Sequence, residues 1–303
     1  MTTPYSTASS RAAMVTLAAL IVGALFAGSS TLFVRLNELG PVTSAFYRAF
    51  LALPALWLLM RVEATRPEAL AAPRLGVREL LLLVVAGLFF AGDLFFWHLA
   101  IMNTAVASAT LLATLAPVYV AVIVYFLFGE RATPTYMAGT ALAIVGAGLL
   151  IGDSFAFRPE RLTGDLYGLT TGFFLAGYMV TVGRLRSGAR VSTGVVMFWS
   201  SLATALVLLP LAWLIEDRML AMTAFGWFML VTLAMISHVA GQGLVAYALA
   251  HLSTSFATVG LIIEVVAAAV LGWLFLDEPL SALQWSGAVV VVAGIVVARR
   301  GSP

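Results

Sequence analysis

Ionisable side chains occur inside the most apolar stretches of this 303-residue sequence. Glu264 is the one charged residue in TVGLIIEVVAAAVLGW (258–273), Arg48 lies within SAFYRAFLALP, and Asp93 lies within LFFAGDLFFW. A charge at the centre of a bilayer costs about 2.5–3.5 kcal/mol on insertion scales, so such a residue normally faces a cavity or a partner. These three residues are therefore candidates for a binding or transport site.

Arg48 and Asp93 have opposite charges at the same predicted depth. Each lies about seven residues from the outer end of its apolar segment, or ~10 Å at the helical rise of 1.5 Å per residue. We expect them to pair, or Arg48 to hold a substrate carboxylate when Asp93 releases it. The alternatives are a purely structural ion pair, or an arginine that extends to the outer interface.

Glu264 and His238 form a second pair at matched depth, near the middle of two other segments. Gln242 follows His238 by four residues, which places the two on one helical face. Such a group could bind a substrate ammonium or carry a proton. The alternative is a polar contact that only locks two helices together.

Further candidates for the lining of a site follow from helical spacing. Phe90, Asp93 and Trp97 share one face, as do Thr110, Thr114 and Pro117. Aromatic side chains inside the apolar segments add three candidates, each of which could instead serve packing or an interfacial belt: Tyr119, Tyr178 and Trp199. His98 lies near a segment end and is interpreted as interfacial.

The composition identifies the environment of these residues. Hydrophobic residues make up 62% of the chain and charged residues 10%, against about 25% charged in soluble domains. The chain is therefore predicted to be an all-α integral membrane protein. A net charge of +2 gives no reason to expect nucleic-acid binding.

The sequence contains neither cysteine nor lysine. It therefore offers no thiolate metal site, no Walker A lysine and no lysine for a Schiff base. No H-E-x-x-H motif is present either. We expect no catalytic residue, metal or cofactor.

Ten transmembrane helices are predicted, since a span needs about 20 mainly apolar residues. With both termini cytoplasmic, eleven arginines lie inside and four outside, as the positive-inside rule requires. The predicted spans are 14–36, 41–61, 77–100, 104–127, 134–152, 164–184, 192–215, 223–249, 254–276 and 281–298. The motif LFAGSS in the first span resembles a signal-peptide cleavage site, but the apolar segment continues beyond it and cleavage is not expected.

The chain repeats itself. A shift of 148 residues places Glu130 on Glu278, Gly139 on Gly287 and Gly146 on Gly294. Each half has five spans, an odd number, so the halves are inverted relative to one another, a hallmark of secondary transporters. The units are a tail (1–13), a first repeat (14–152), a periplasmic connector (153–163), a second repeat (164–298) and a tail (299–303).

Two finer features of the repeat have predicted roles. Glu130 and Glu278 lie in mirrored turns before the following helices and are interpreted as helix caps. Gly148 and Gly152 form a G-x-x-x-G motif, which is typical of close helix packing.

The two halves resemble the drug/metabolite transporter superfamily of the EamA type. The pattern G/D-E followed by G-x6-G occurs in both halves, and Arg48 matches an arginine in the family's second span. Pro117 matches a family proline thirteen residues before the loop glutamate. In the second half this position is Val265, preceded by Glu264, and the missing proline leaves a kink in the ninth span in doubt.

The resemblance implies a secondary transporter that exports amino acids and related metabolites, aromatic and neutral ones among them, from the bacterial cytoplasm through the inner membrane by alternating access. An intramembrane enzyme and a channel or scramblase-like facilitator are the alternatives. Proton exchange and downhill efflux both fit the sequence. The oligomeric state stays open, and a monomer is compatible with the sequence.

Overall fold

The structure is a computed structural model that describes residues 5–65, 75–103, 106–151, 162–187, 191–275 and 281–302. Within these residues, nine helical runs are long and apolar enough to cross a membrane, and the fifth, Pro134–Leu150, is apolar but shorter. The predicted ten-helix architecture is therefore confirmed. The first helix begins at Tyr5, well before the predicted start at 14.

Several spans consist of more than one helical piece. The ten spans are, in chain order, Tyr5–Gly28 with Ser30–Leu36; Pro41–Phe50 with Leu53–Ala64; Val77–Asn103; Val106–Ala113 with Ala116–Phe128; Pro134–Ile151; Leu162–Arg186; Thr193–Ile215; Ala224–Thr232 with Leu233–Gln242 and Gly243–Ala248; Thr254–Gly260 with Ile263–Phe275; and Ala282–Gly301. The first span packs against the eighth and ninth, and the sixth packs against the third and fourth. Each half thus places its first helix against the other half.

The fourth and ninth spans are interrupted at matching positions. The fourth breaks before Pro117, which cannot donate a backbone hydrogen bond. The ninth breaks before Glu264 although no proline is present. There the N–H of Glu264 donates to Leu261 O (2.8 Å) and that of Val265 to Ile262 O (3.1 Å). These tighter bonds to the third preceding residue replace α-helical ones, so the break that the sequence left in doubt does occur.

The fifth and tenth spans pack through glycines. A Cβ added at Gly146 would lie 2.5 Å from Val291 N, and one added at Gly294 would meet the backbone of Ala143. As the contact position advances along one helix it retreats along the other, so the two helices are antiparallel. Shifting these contacts by the repeat length of 148 exchanges them, which is the geometry of an inverted repeat.

Replacing Gly146 with Ala is expected to destabilise the protein by about 1–3 kcal/mol, because the new methyl meets backbone atoms that cannot rotate away. Gly148→Ala is the control, since nothing lies within 4 Å of its added Cβ; it should be neutral or stabilising. The open space also means that Gly148 is not a packing glycine, contrary to the sequence prediction. Thermal unfolding in detergent measures both variants, and equal midpoints would contradict the expectation.

The second and seventh spans exchange glutamate caps. Glu216, which follows the seventh span, accepts hydrogen bonds from Val42 N (2.6 Å) and Thr43 N (3.2 Å) at the start of the second span. Glu63, near the end of the second span, accepts one from Gly194 N (2.6 Å) at the start of the seventh. A carboxylate stabilises a helix N-terminus by binding unpaired N–H groups. These bonds fasten the two spans at both ends.

Glu38 makes a similar contact in the turn between the first and second spans. It accepts hydrogen bonds from Thr223 Oγ1 and from the backbone N–H groups of Met222 (2.8 Å) and Thr223 (3.3 Å). These bonds, the one from the Thr223 hydroxyl foremost, lower the pKa of Glu38 from its ordinary value of 4.5. Glu38 therefore joins this turn to the start of the eighth span.

The stabilisation from Glu38 should depend on pH. A lowered folded-state pKa means that the contribution is present above the unfolded value and is lost as pH falls through the folded one. Unfolding midpoints of the wild type and of Glu38→Gln, measured from about pH 6 to about pH 3, should therefore converge as pH falls. A difference that stays constant over this range would contradict the expectation.

Candidate functional site

A cavity of about 110 Å³ lies between the two halves. Six of the predicted site residues line it: Arg48, Asp93, Trp97, Thr114, Gln242 and Glu264. They come from five different spans, from the second to the ninth. The fold therefore brings both acids and the arginine to a single chamber.

Arg48 is buried there with unused hydrogen-bonding capacity. The residue is 5% exposed, and its Nε has no hydrogen-bond partner among the residues that the structure describes. The guanidinium carbon lies 5.9 Å from the centre of the Phe90 ring, within the range of a cation–π contact. A buried guanidinium with an unpaired donor is suited to bind a carboxylate.

Asp93 shares the cavity with Arg48 but does not pair with it. Within the described part of the chain, no salt bridge of 4.0 Å or less joins the two residues. The expected ion pair is thus absent from this conformation. Phe90, Asp93 and Trp97, which were predicted to share one face of the third span, all line the cavity.

Glu264 lies in the first turn of the second helical piece of the ninth span. An acid at a helix N-terminus is favoured by the partial positive charge there. Gly28 of the first span permits the close approach, since a Cβ at Gly28 would lie 2.7 Å from the Glu264 carbonyl oxygen. The break in the ninth span and this glycine together position the carboxylate at the cavity.

The expected contact between His238 and Glu264 is wrong for this conformation. His238 is 1% exposed, its Nε2 lies 2.7 Å from Ser201 Oγ, and its ring packs on Phe90 at 5.3 Å. It does not line the cavity, whereas Gln242 does. The physical reason is that Ser201 and Phe90 hold the ring of His238, which belongs to the π-helical segment Leu233–Gln242. A π-helical segment within a span frequently accompanies a functional site.

The aromatic candidates lie outside the cavity lining. Tyr178 is buried beside Phe90, with ring centres 4.8 Å apart. Tyr119 packs edge-on against Phe173 at 6.1 Å, and Trp199 is 41% exposed on the outer surface of the bundle. The side chain of Thr110 lies outside the described part of the chain. Helical spacing therefore did not identify the side of the helix that faces the cavity for Tyr119, Tyr178 and Trp199.

Two further expectations are wrong. His98 is not interfacial: it is 1% exposed and its Nδ1 lies at hydrogen-bond distance from Leu94 O, because the third span continues to Asn103. Glu130 does not cap a helix: it accepts a hydrogen bond from Arg184 (2.8 Å). The hydroxyl of Thr133 caps the fifth span instead. Glu278 lies outside the described residues.

Sequence reasoning missed four hydroxyl residues that line the cavity: Ser30, Thr31, Thr171 and Thr258. Thr171 lies in the sixth span between Gly168 and Gly172. Its signal was available, because Gly168, Thr171 and Leu175 share a helical face. Small and hydroxyl residues, however, serve packing in most membrane helices.

Two inverted halves around a charged chamber define the architecture of a secondary transporter. The sequence model of the EamA-like transporter family matches residues 14–152 and again residues 162–300. The chain belongs to this family, and it is a multi-pass membrane protein with a duplicated five-helix unit.

Known proteins with similar sequences are named as exporters. The pseudopaline exporter CntI of Pseudomonas aeruginosa is 29% identical over 255 residues, which are 84% of each chain. The aromatic amino acid exporter YddG of Ancylobacter novellus is 32% identical over 47% of this chain and 51% of its own. A probable amino-acid metabolite efflux pump of Escherichia coli is 30% identical over 57% of this chain and 60% of its own. These relatives support a transport function.

The fold also occurs among solved structures. A crystal structure matches this chain with a TM-score of 0.77, covering 93% of this chain and 96% of the other at 21% sequence identity. The similarity at this level shows a shared fold and leaves the substrate to be argued from the site.

Proposed function

We propose that the chain is a secondary transporter that exports zwitterionic small molecules of the amino-acid class, aromatic and neutral ones in particular, across the bacterial inner membrane. The observation that supports this most directly is the presence of Arg48, Asp93 and Glu264 in one cavity between the halves. An α-amino acid carries one carboxylate and one ammonium, and the cavity supplies a partner for each.

The substrate carboxylate binds Arg48, whose Nε has no hydrogen-bond partner within the described chain. The ammonium binds Glu264 or Asp93. Two acids face one arginine, so with a zwitterion bound one carboxylate is left over, and this carboxylate takes up a proton. Phe90 and Trp97 supply an apolar wall against which an aromatic side chain packs.

The proposed mechanism of export combines the predicted orientation of the chain in the membrane with alternating access to the cavity. With both termini cytoplasmic, the predicted repeats 14–152 and 164–298 are the units that rock against each other. Alternating access requires one conformation that opens the cavity to the outside and one that opens it to the cytoplasm.

A second candidate is export of pseudopaline or a related compound. The relative named for this compound aligns with 84% of the chain. Pseudopaline therefore belongs in any test panel.

Uptake into proteoliposomes across a panel of amino acids and pseudopaline, with and without a pH gradient, tests the proposal. Saturable uptake of neutral or aromatic amino acids, accelerated by an appropriate gradient, is expected. Chemical conversion of the substrate would indicate an enzyme, and flux that does not saturate would indicate a channel. Rescue of growing cells from toxic amino-acid analogues checks the direction of transport.

A further inference from the structure

Thr171 differs from Thr170 and Thr181 of the same span. Thr170 and Thr181 donate their hydroxyl hydrogens to the carbonyl oxygens four residues earlier, at 2.8 and 2.7 Å. The Thr171 hydroxyl is buried, in a residue only 1% exposed, and within the described chain it has no hydrogen-bond partner. A buried hydroxyl without a partner costs about 1–3 kcal/mol, so its retention needs a reason.

Two other threonines that line the cavity, Thr114 and Thr258, donate their hydroxyl hydrogens to carbonyl oxygens of their own spans. Thr114 Oγ1 donates to Leu111 O (2.6 Å) and Thr258 Oγ1 to Thr254 O (2.7 Å). By contrast, the hydroxyl of Thr171 in the same cavity neither donates nor accepts a hydrogen bond within the described chain.

A backbone acceptor lies close to Gly172, the neighbour of Thr171 in the chain. The carbonyl of Ala113 would normally accept a bond from the N–H of residue 117, but Pro117 has none. A Cβ added at Gly172, the residue after Thr171, would lie only 3.4 Å from this carbonyl oxygen. Ala113, Pro117 and Thr171 all line the cavity. The break in the fourth span and the hydroxyl of the sixth thus place two free polar groups on one wall.

We propose that this wall is a side-chain subsite, in which Thr171 Oγ1 and the Ala113 carbonyl bind an O–H or N–H group of the substrate. The charged groups of Arg48 and Glu264 hold the zwitterionic end, which is common to all amino acids and cannot distinguish among them. Thr171 then sets a preference for side chains that carry a hydrogen-bonding group. This inference rests on the proposed function and adds the basis on which the transporter selects among amino-acid side chains.

The test compares Thr171→Val with the wild type on substrate pairs that differ by a hydroxyl: tyrosine against phenylalanine, and threonine against valine. Val keeps the shape and removes the hydroxyl. The preference for the hydroxylated member of each pair should fall about three- to tenfold, the effect of one neutral hydrogen bond. Thr171→Ser keeps the hydroxyl and should retain the preference, and Thr170→Val is the matched control on the same helix.

Stability separates this role from a structural one. Removing an unpaired buried hydroxyl should leave the unfolding midpoint unchanged or raise it, so selectivity falls without loss of fold. Thr171→Ala is the second variant if Val does not fit. An unchanged preference in an active Thr171→Val protein overturns the subsite alone. A wild type that carries neither pair overturns the proposed function, and this inference with it.

Discussion

Glu264→Gln is expected to lower transport at limiting substrate about 10- to 150-fold, the range for losing one charge-assisted hydrogen bond of 1.5–3 kcal/mol. The substitution keeps the size and polarity of the side chain and removes its charge and its proton. Substrate ammonium then loses its partner, and any proton carried by this residue is lost as well. Initial rates in proteoliposomes, measured with a series of substrate concentrations, report the effect.

A pH series separates the two roles of Glu264. If the residue only binds the ammonium, the variant loses affinity but still responds to a pH gradient. If it carries the proton, the response to the gradient disappears too. Glu130→Gln is the control, because Glu130 is an exposed glutamate paired with Arg184 and exposed pairs contribute little. Full activity of Glu264→Gln at every pH would exclude both roles.

Substitution of Arg48 should have a comparably large effect. Arg48→Met leaves the substrate carboxylate without a partner in a buried site, a change that costs about 2–5 kcal/mol at buried charge pairs, or at least a 30-fold loss. Arg48→Lys should fall between the wild type and Arg48→Met, because an ammonium keeps the charge and loses the planar two-point geometry of a guanidinium. Binding measured by ligand-induced thermal stabilisation checks the order of the three proteins.

A second arginine supplies the control for Arg48. Arg184 is partly exposed, and it pairs with Glu130 and stacks on Phe128, so Arg184→Lys should transport normally. Substrate analogues without a carboxylate give the sharper comparison. These analogues should bind the wild type weakly, and their affinity should fall little further in Arg48→Met. An equal loss for acids and for their neutral analogues would show that Arg48 has a structural role.

Depth was the property of the site that the sequence could predict. Rise per residue is nearly constant in any helix, so counting from the span ends placed Arg48, Asp93 and Glu264 at levels that meet in one cavity. The inverted repeat was also predictable, because matched glycines and glutamates recur at a constant offset. Both deductions use distances along the chain, which local irregularities alter little.

Rotation about the helix axis could not be predicted in the same way. The π-helical segment of the eighth span changes the rotation per residue over Leu233–Gln242, and the break before Glu264 interrupts the helix of the ninth span. Each irregularity changes which face later residues present, and neither has a proline or another obvious marker. Uninterrupted helices posed the same difficulty, since Tyr178 of the sixth span is packed within the bundle and Trp199 of the seventh lies on its outer surface.

The exchanged carboxylates of Glu63 and Glu216 have a consequence for biogenesis. The amino end of the second span is made early, yet the acid that satisfies its N–H groups is synthesised only after the seventh span. During translation the N–H groups at this end are therefore without their protein acceptor, and water or lipid headgroups at the membrane surface must accept their hydrogen bonds. The nascent amino-terminal half reaches its final form only when the later half has been inserted beside it.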